Sequence, residues 1–126
     1  MHRFNEPITM RELLREIGRV LTEVPNRLTL EGHTDAAGFA AGEFGYSNWE
    51  LSSDRANASR RELLIGGLPA ERVLRVQGLA SSVPFDKADP LAAANRRISI
   101  IVMNREAEDR IFRTGAAAVE PVPDVE

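Results

Sequence analysis

The stretch from Arg27 to Ala58 constrains the fold more than any other part of the chain. Leu28-Thr29-Leu30-Glu31 alternates apolar and polar side chains, the period of a half-buried strand over Arg27 to Glu31. Gly32-His33-Thr34-Asp35 then supplies residues suited to the mouth of a site, and a Gly/Ala-rich loop runs on to Tyr46. Beyond it, Ser47-x-x-Glu50 is a capping box: the hydroxyl satisfies a free helix N–H while the carboxylate reaches back to the cap. Asp35 therefore belongs just past a strand end, and Arg55 about two turns into the next helix. One carboxylate and one guanidinium on neighbouring rigid elements can grip a ligand that carries an amine and a carboxylate. The residues alone point no further than such a zwitterion clamp.

The flanking segments complete an α+β pattern. Thr9-x-x-Glu12 is a second capping box, and Met10, Leu13, Leu14, Ile17, Val20 and Leu21 recur behind it at helical spacing, a stripe expected in the core. Pro25-Asn26 ends that helix, and Gly66-Gly67 ends the one that starts at Ser47. Val73 to Gln77 reads as a second strand, and Ser81 to Ala94 as a loop broken by Pro84 and Pro90, with a helical turn at Leu91 to Ala94. Ile98 to Met103 is the most β-branched segment and is expected to be a buried strand. Asn104 can cap a last helix through Arg113, and disorder is expected from Gly115 onward. The order α-β-α-β-β-α predicts helices packed on one small sheet. Gly38, Gly42 and Gly45 fit neither dinucleotide nor P-loop spacing, and their loop, with Phe39 and Phe44, reads either as a mobile lid or as a packed insertion.

Composition narrows the function classes. A chain of 126 residues makes one domain, and a net charge of -3 without a Lys/Arg run excludes a basic nucleic-acid surface. Without cysteine there is no thiolate chemistry, and His33 has only His2 as a companion, too few ligands for zinc. His33 is expected to be structural, hydrogen-bonded within its loop. No stretch reaches the apolar length needed to span a bilayer, and the N-terminus lacks a signal peptide's apolar core. Taken singly, Asp35 beside glycine reads as a turn cap, and Arg55 as a surface cation paired with Asp54, Glu50 or Glu62. A hydrolase using Asp35 or Glu31 with His33 is a competing reading, but no Ser-His or paired-carboxylate arrangement accompanies it.

Three blocks lift the pair above those readings: Gly32-His33-Thr34-Asp35, Asn48-x-x-Leu51-Ser52-x-x-Arg55-Ala56, and Asn95-Arg96-Arg97-Ile98. Their order and approximate spacing resemble the signature of OmpA-like peptidoglycan-binding domains, from Thr9 to Met103. The run from Gly42 to Leu63, with Val73 to Val76 and the helix after Met103, is similar to the MotB-like branch of that family, the wall-anchored subunits of flagellar stators. The resemblance implies an OmpA-like sandwich of helices on one small mixed β-sheet over residues 9–113. A remnant of a linker or truncated strand at 1–8 and a disordered tail at 114–126 would flank it. Family members begin with a strand ahead of the first helix, and Met1 to Ile8 is too short and polar to supply one.

The same resemblance implies a non-catalytic wall anchor without cofactor or metal. Asp35 would take the ammonium and Arg55 the carboxylate of the diaminopimelate in the peptidoglycan stem peptide. Thr34 and Asn48 can add hydrogen bonds at the rim and Leu51 an apolar wall, with Arg97 as a further candidate. The implied partners are peptidoglycan, a second copy in a homodimer, and a MotA-like stator subunit. That subunit would be reached through an N-terminal membrane helix absent from these residues. The domain would then lie in the periplasm on a protein held in the inner membrane. The alternative context is the wall anchor of another envelope protein, a lipoprotein or secretion component, against which the run from Asn48 to Leu63 argues.

Overall fold

The structure is a computed structural model that describes residues 8–37 and 46–117, the side chains of 114–117 excepted. The N-terminal segment and the loop holding Phe39 and Phe44 lie outside the described residues. Three helices, α1 (Met10–Leu21), α2 (Asn48–Ile65) and α3 (Arg105–Ala117), accompany three strands, β1 (Leu28–His33), β2 (Val73–Gly78) and β3 (Arg97–Val102). The sheet is mixed, in the order β2-β1-β3: β1 runs parallel to β2 and antiparallel to β3. Leu30 sits between Val76 on one side and Ile100 on the other, and His33 faces Arg97 across the β1–β3 ladder.

Local chemistry sets the helix starts. Both bonds of the Ser47/Glu50 capping box form, the Thr9 hydroxyl accepts from the Glu12 N–H, and the Asn104 side chain accepts from the Ala107 N–H at 2.8 Å. Leu28 and Leu30 point to the face covered by α1 and α2, where they meet Leu14, Leu63 and Leu68 in a sealed core. Thr29 and Glu31 point the other way, toward Met103 and α3. That helix docks through Glu108, which accepts from the Arg27 N–H, and through Phe112, whose ring lies 5.6 Å from the Arg27 guanidinium.

Five expectations need correction. The strand expected over Arg27 to Glu31 continues to His33, because the β1–β3 ladder runs on to Arg97. The β-branched segment from Ile98 is no buried strand but the sheet edge among the described residues, with Ile101 and Val102 exposed, because β1 occupies the centre. The apolar stripe of α1 is only partly core: Leu14 is buried, whereas Met10 (64 %), Leu13 (43 %) and Val20 (46 %) are exposed. Its contact line is pulled toward Gly18, where an added Cβ would stand 2.2 Å from the Leu63 carbonyl oxygen of α2. Finally, α3 continues through Ala117 rather than stopping at Arg113, and the helical turn expected at Leu91 to Ala94 is a 3-10 turn at Ala93–Asn95.

Candidate functional site

Past the end of β1 the backbone is laid across two other loops. The Thr34 N–H donates to the Ala80 carbonyl at 2.8 Å and the Ala36 N–H to the Pro90 carbonyl at 2.9 Å. The loop carrying Pro90 is in turn shaped by Asn95, which is fully buried. Its Oδ1 accepts from the Asp86 N–H at 2.7 Å, and its Nδ2 donates to the carbonyls of Asp86, Asp89 and Pro90. Arg96 follows at once. Its Nη1 donates to Asp35 Oδ2 at 2.7 Å, while Asp35 Oδ1 accepts from the Ala37 N–H at 3.0 Å. The Arg96 bond, then the Ala37 N–H, holds the Asp35 carboxyl below its ordinary range, with a lesser contribution from the charge of Arg55.

Helix α2 brings the second half of the site. The Asn48 side chain donates to the Ala37 carbonyl at 2.8 Å, tying the Asp35 turn to the helix start. Ser52, fully buried, accepts from the Ala80 N–H, and beneath it Gly32 and Gly78 stand opposite one another in adjacent strands. Arg55 lies one turn further along, on the side of Ser52. Among the described residues it has no carboxylate within 4 Å, since the acids expected to neutralise it are engaged elsewhere. Asp54 accepts from the Tyr46 hydroxyl, Glu50 closes the capping box, and Glu62 accepts from Arg15 at 2.7 Å.

A cavity of about 480 Å³ opens between α1, α2 and β3, with Met10, Leu14 and Ile98 as its apolar wall. Arg55, Arg96, Arg97 and His33 line its polar side. His33 corrects a further expectation: it is 2 % exposed, and neither ring nitrogen has a hydrogen-bond partner. Its Nε2 stands 3.6 Å from Glu31 Oε1, and burial, aided by the charge of Arg97, holds its pKa below the ordinary histidine value. Folding therefore favours the neutral ring. That contribution is complete above the unfolded-state value near 6.5 and is lost as the pH falls below it. Stability should drop from pH 7 to pH 5 by no more than about 1.4 kcal/mol per pH unit, the limit for one proton. Urea midpoints at both pH values should show the drop in wild type and a smaller one in His33→Gln; equal drops would exclude this origin.

The structure thus ties Asn48 to the turn that carries Asp35, where the charge of Arg55 is felt, and it sets Arg55 and Arg97 around one cavity that neither Asp35 nor Asn48 lines. Arg97 donates to the Val83 carbonyl at 3.0 Å and stacks over Phe85, leaving its Nη1 buried without a partner. Thr34 is buried, with its hydroxyl turned to the Asp35 carbonyl, and Leu51 is half-buried and does not line the cavity. Two residues gained roles that the sequence reading did not assign, Arg96 as the partner of Asp35 and Asn95 as the loop's template. Both stand in the Asn95-Arg96-Arg97 block, but nothing in a pair of adjacent arginines says which one faces the carboxylate.

The cavity lies on a helix-covered mixed sheet, and the comparisons assign the fold's class. The OmpA family matches residues 8–97, and the chain belongs to that family. It is 52 % identical over 118 residues to Motility protein B of Escherichia coli (strain K12), covering 93 % of this chain and 38 % of that protein. The chain therefore spans well under half the length of this relative. The periplasmic domain of Helicobacter pylori MotB superposes with a TM-score of 0.65 at 18 % identity, covering 89 % of this chain and 73 % of that one. The OmpA-like domain of FopA1 from Francisella tularensis gives 0.58 at 17 % identity, covering 75 % and 62 %. At such identities the two structures speak for the fold alone.

Proposed function

We propose that this chain is a non-catalytic peptidoglycan-binding domain that ties a flagellar stator to the cell wall by clamping the diaminopimelate of the stem peptide. The observation that carries the reading is the pair of opposite charges on adjacent elements: Asp35, kept ionised past β1, and Arg55, free of carboxylates among the described residues, beside the cavity. Asp35 receives the ligand's ammonium and Arg55 its carboxylate, a charge-assisted contact that a guanidinium can make bidentate. Asn48 supports the turn, and Arg97, with an idle buried N–H, lies within the same cavity. Likeness to Motility protein B favours the stator context over other envelope anchors. In that context the domain works in the periplasm as a homodimer, on a protein whose N-terminal helix holds it in the inner membrane beside a MotA-like subunit.

Co-sedimentation with purified sacculi tests the clamp. Wild type should pellet with the wall, and Asp35→Ala and Arg55→Ala should each weaken retention about tenfold or more, the cost of one charged hydrogen bond. Both variants pelleting like wild type would refute the assignment. The sacculi should release no soluble muropeptides, and release would favour an enzyme.

A further inference from the structure

We infer that Arg96 is the specificity residue of this clamp: it occupies Asp35 until a ligand carrying both an ammonium and a carboxylate exchanges partners with the pair. The inference rests on the wall-binding reading and adds the rule by which the site chooses its ligand. Both Asp35 oxygens are already engaged, one by Arg96 at 2.7 Å and one by the Ala37 N–H. An ammonium arriving alone must displace a cation that the fold delivers without translational cost. It would also return the Arg96 guanidinium to a cavity wall that already holds Arg55 and Arg97, where like charges oppose it.

The cavity's own charge supplies the second half of the exchange. Among the described residues lining it, Glu62 is the lone carboxylate, and it is held by Arg15 at 2.7 Å and approached by Arg11 at 3.8 Å. Arg97 Nη1 is buried there without an acceptor, and the buried His33 ring beside it has no hydrogen bond. A carboxylate entering this wall meets the charge of Arg55, which no carboxylate of the described residues offsets, and Arg96 can turn to it when Asp35 accepts the ligand's ammonium. One internal pair is then replaced by two pairs with the ligand. An amine alone leaves Arg96 uncompensated, and a carboxylate alone leaves Asp35 so. Arg96 thereby turns a cation site into one that admits amino-acid head groups.

The test compares meso-diaminopimelate with 1,5-diaminopentane, the same diamine without its carboxylates, by calorimetric or NMR titration of wild type, Arg96→Gln and Arg96→Lys. Wild type should prefer diaminopimelate by about tenfold or more, the worth of a charged contact. Arg96→Gln should narrow that preference about tenfold, tightening the diamine and weakening the amino acid, and Arg96→Lys should restore part of it. An unchanged preference in Arg96→Gln, or wild type binding both probes equally, overturns the role of Arg96 while leaving the clamp standing. Wild type that binds neither diaminopimelate nor sacculi overturns the clamp and this inference together. Thermal melts of all three proteins show whether a loss of binding reflects a loss of fold.

Discussion

Gly32→Ala should cost the domain about 3 kcal/mol or more of unfolding free energy, the upper range for forcing a methyl group into a packed interface. A Cβ at this position would stand 2.0 Å from the Ser52 carbonyl oxygen and 2.8 Å from its carbon. The obstruction is backbone in the second turn of α2, so no side chain can swing aside. Gly78, its partner across the β1–β2 ladder, is equally close, 2.4 Å from the Ser53 nitrogen. The two glycines form one seat for the helix, and relief requires α2 to lift from the sheet. Lifting also carries Arg55 away, so wall retention should fall by more than the unfolded fraction explains. Urea unfolding should show a lower midpoint at unchanged slope, and a midpoint equal to wild type would disprove the seat.

Asn95→Ala should cost about 2–3 kcal/mol, because truncation strands several part-buried polar groups at once. The Asp86 N–H loses its acceptor, and the carbonyls of Asp86, Asp89 and Pro90 lose their shared donor. The Pro90 carbonyl also receives the Ala36 N–H, so the disturbance reaches the turn that aims Asp35. Asn95→Asp keeps the acceptor for Asp86 but turns an anionic oxygen toward the three carbonyls, and it should fail similarly. Thermal melts and amide exchange at Asp86 measure both effects. Exchange in Asn95→Ala as slow as in wild type would show that the loop holds its shape without this side chain.

The features legible in the sequence were those decided by neighbours a few residues apart. Thr9, Ser47 and Asn104 announce helix starts because a cap needs only the next turn. The identity of each strand was equally local. Its rank in the sheet was not: the β-branched run from Ile98 has strong strand propensity, yet propensity does not count partners, and the more modest Leu28–His33 took the centre. The face of α1 was misjudged for a related reason, since Gly18 and not the apolar residues decides where α2 can approach. Asp35 and Arg55 stand out as candidates through their motifs, whereas the bond from Asp35 to Arg96 spans 61 residues and is set by loops that Asn95 organises.

The place of β1 at the middle of the sheet also dictates an order of events on the ribosome. α1, β1, α2 and β2 emerge before β3 and can assemble, since an N-terminal unit folds while the rest is still being synthesised. Until β3 arrives, that intermediate carries a row of unsatisfied main-chain groups along β1, an invitation to foreign chains, and an Asp35 without its Arg96 partner. Docking of β3 closes the sticky margin and delivers Arg96 and Arg97 in the same movement. A polypeptide cut short before Arg96 would therefore acquire two defects from one omission, a tendency to aggregate and an Asp35 turn that lacks its guanidinium partner.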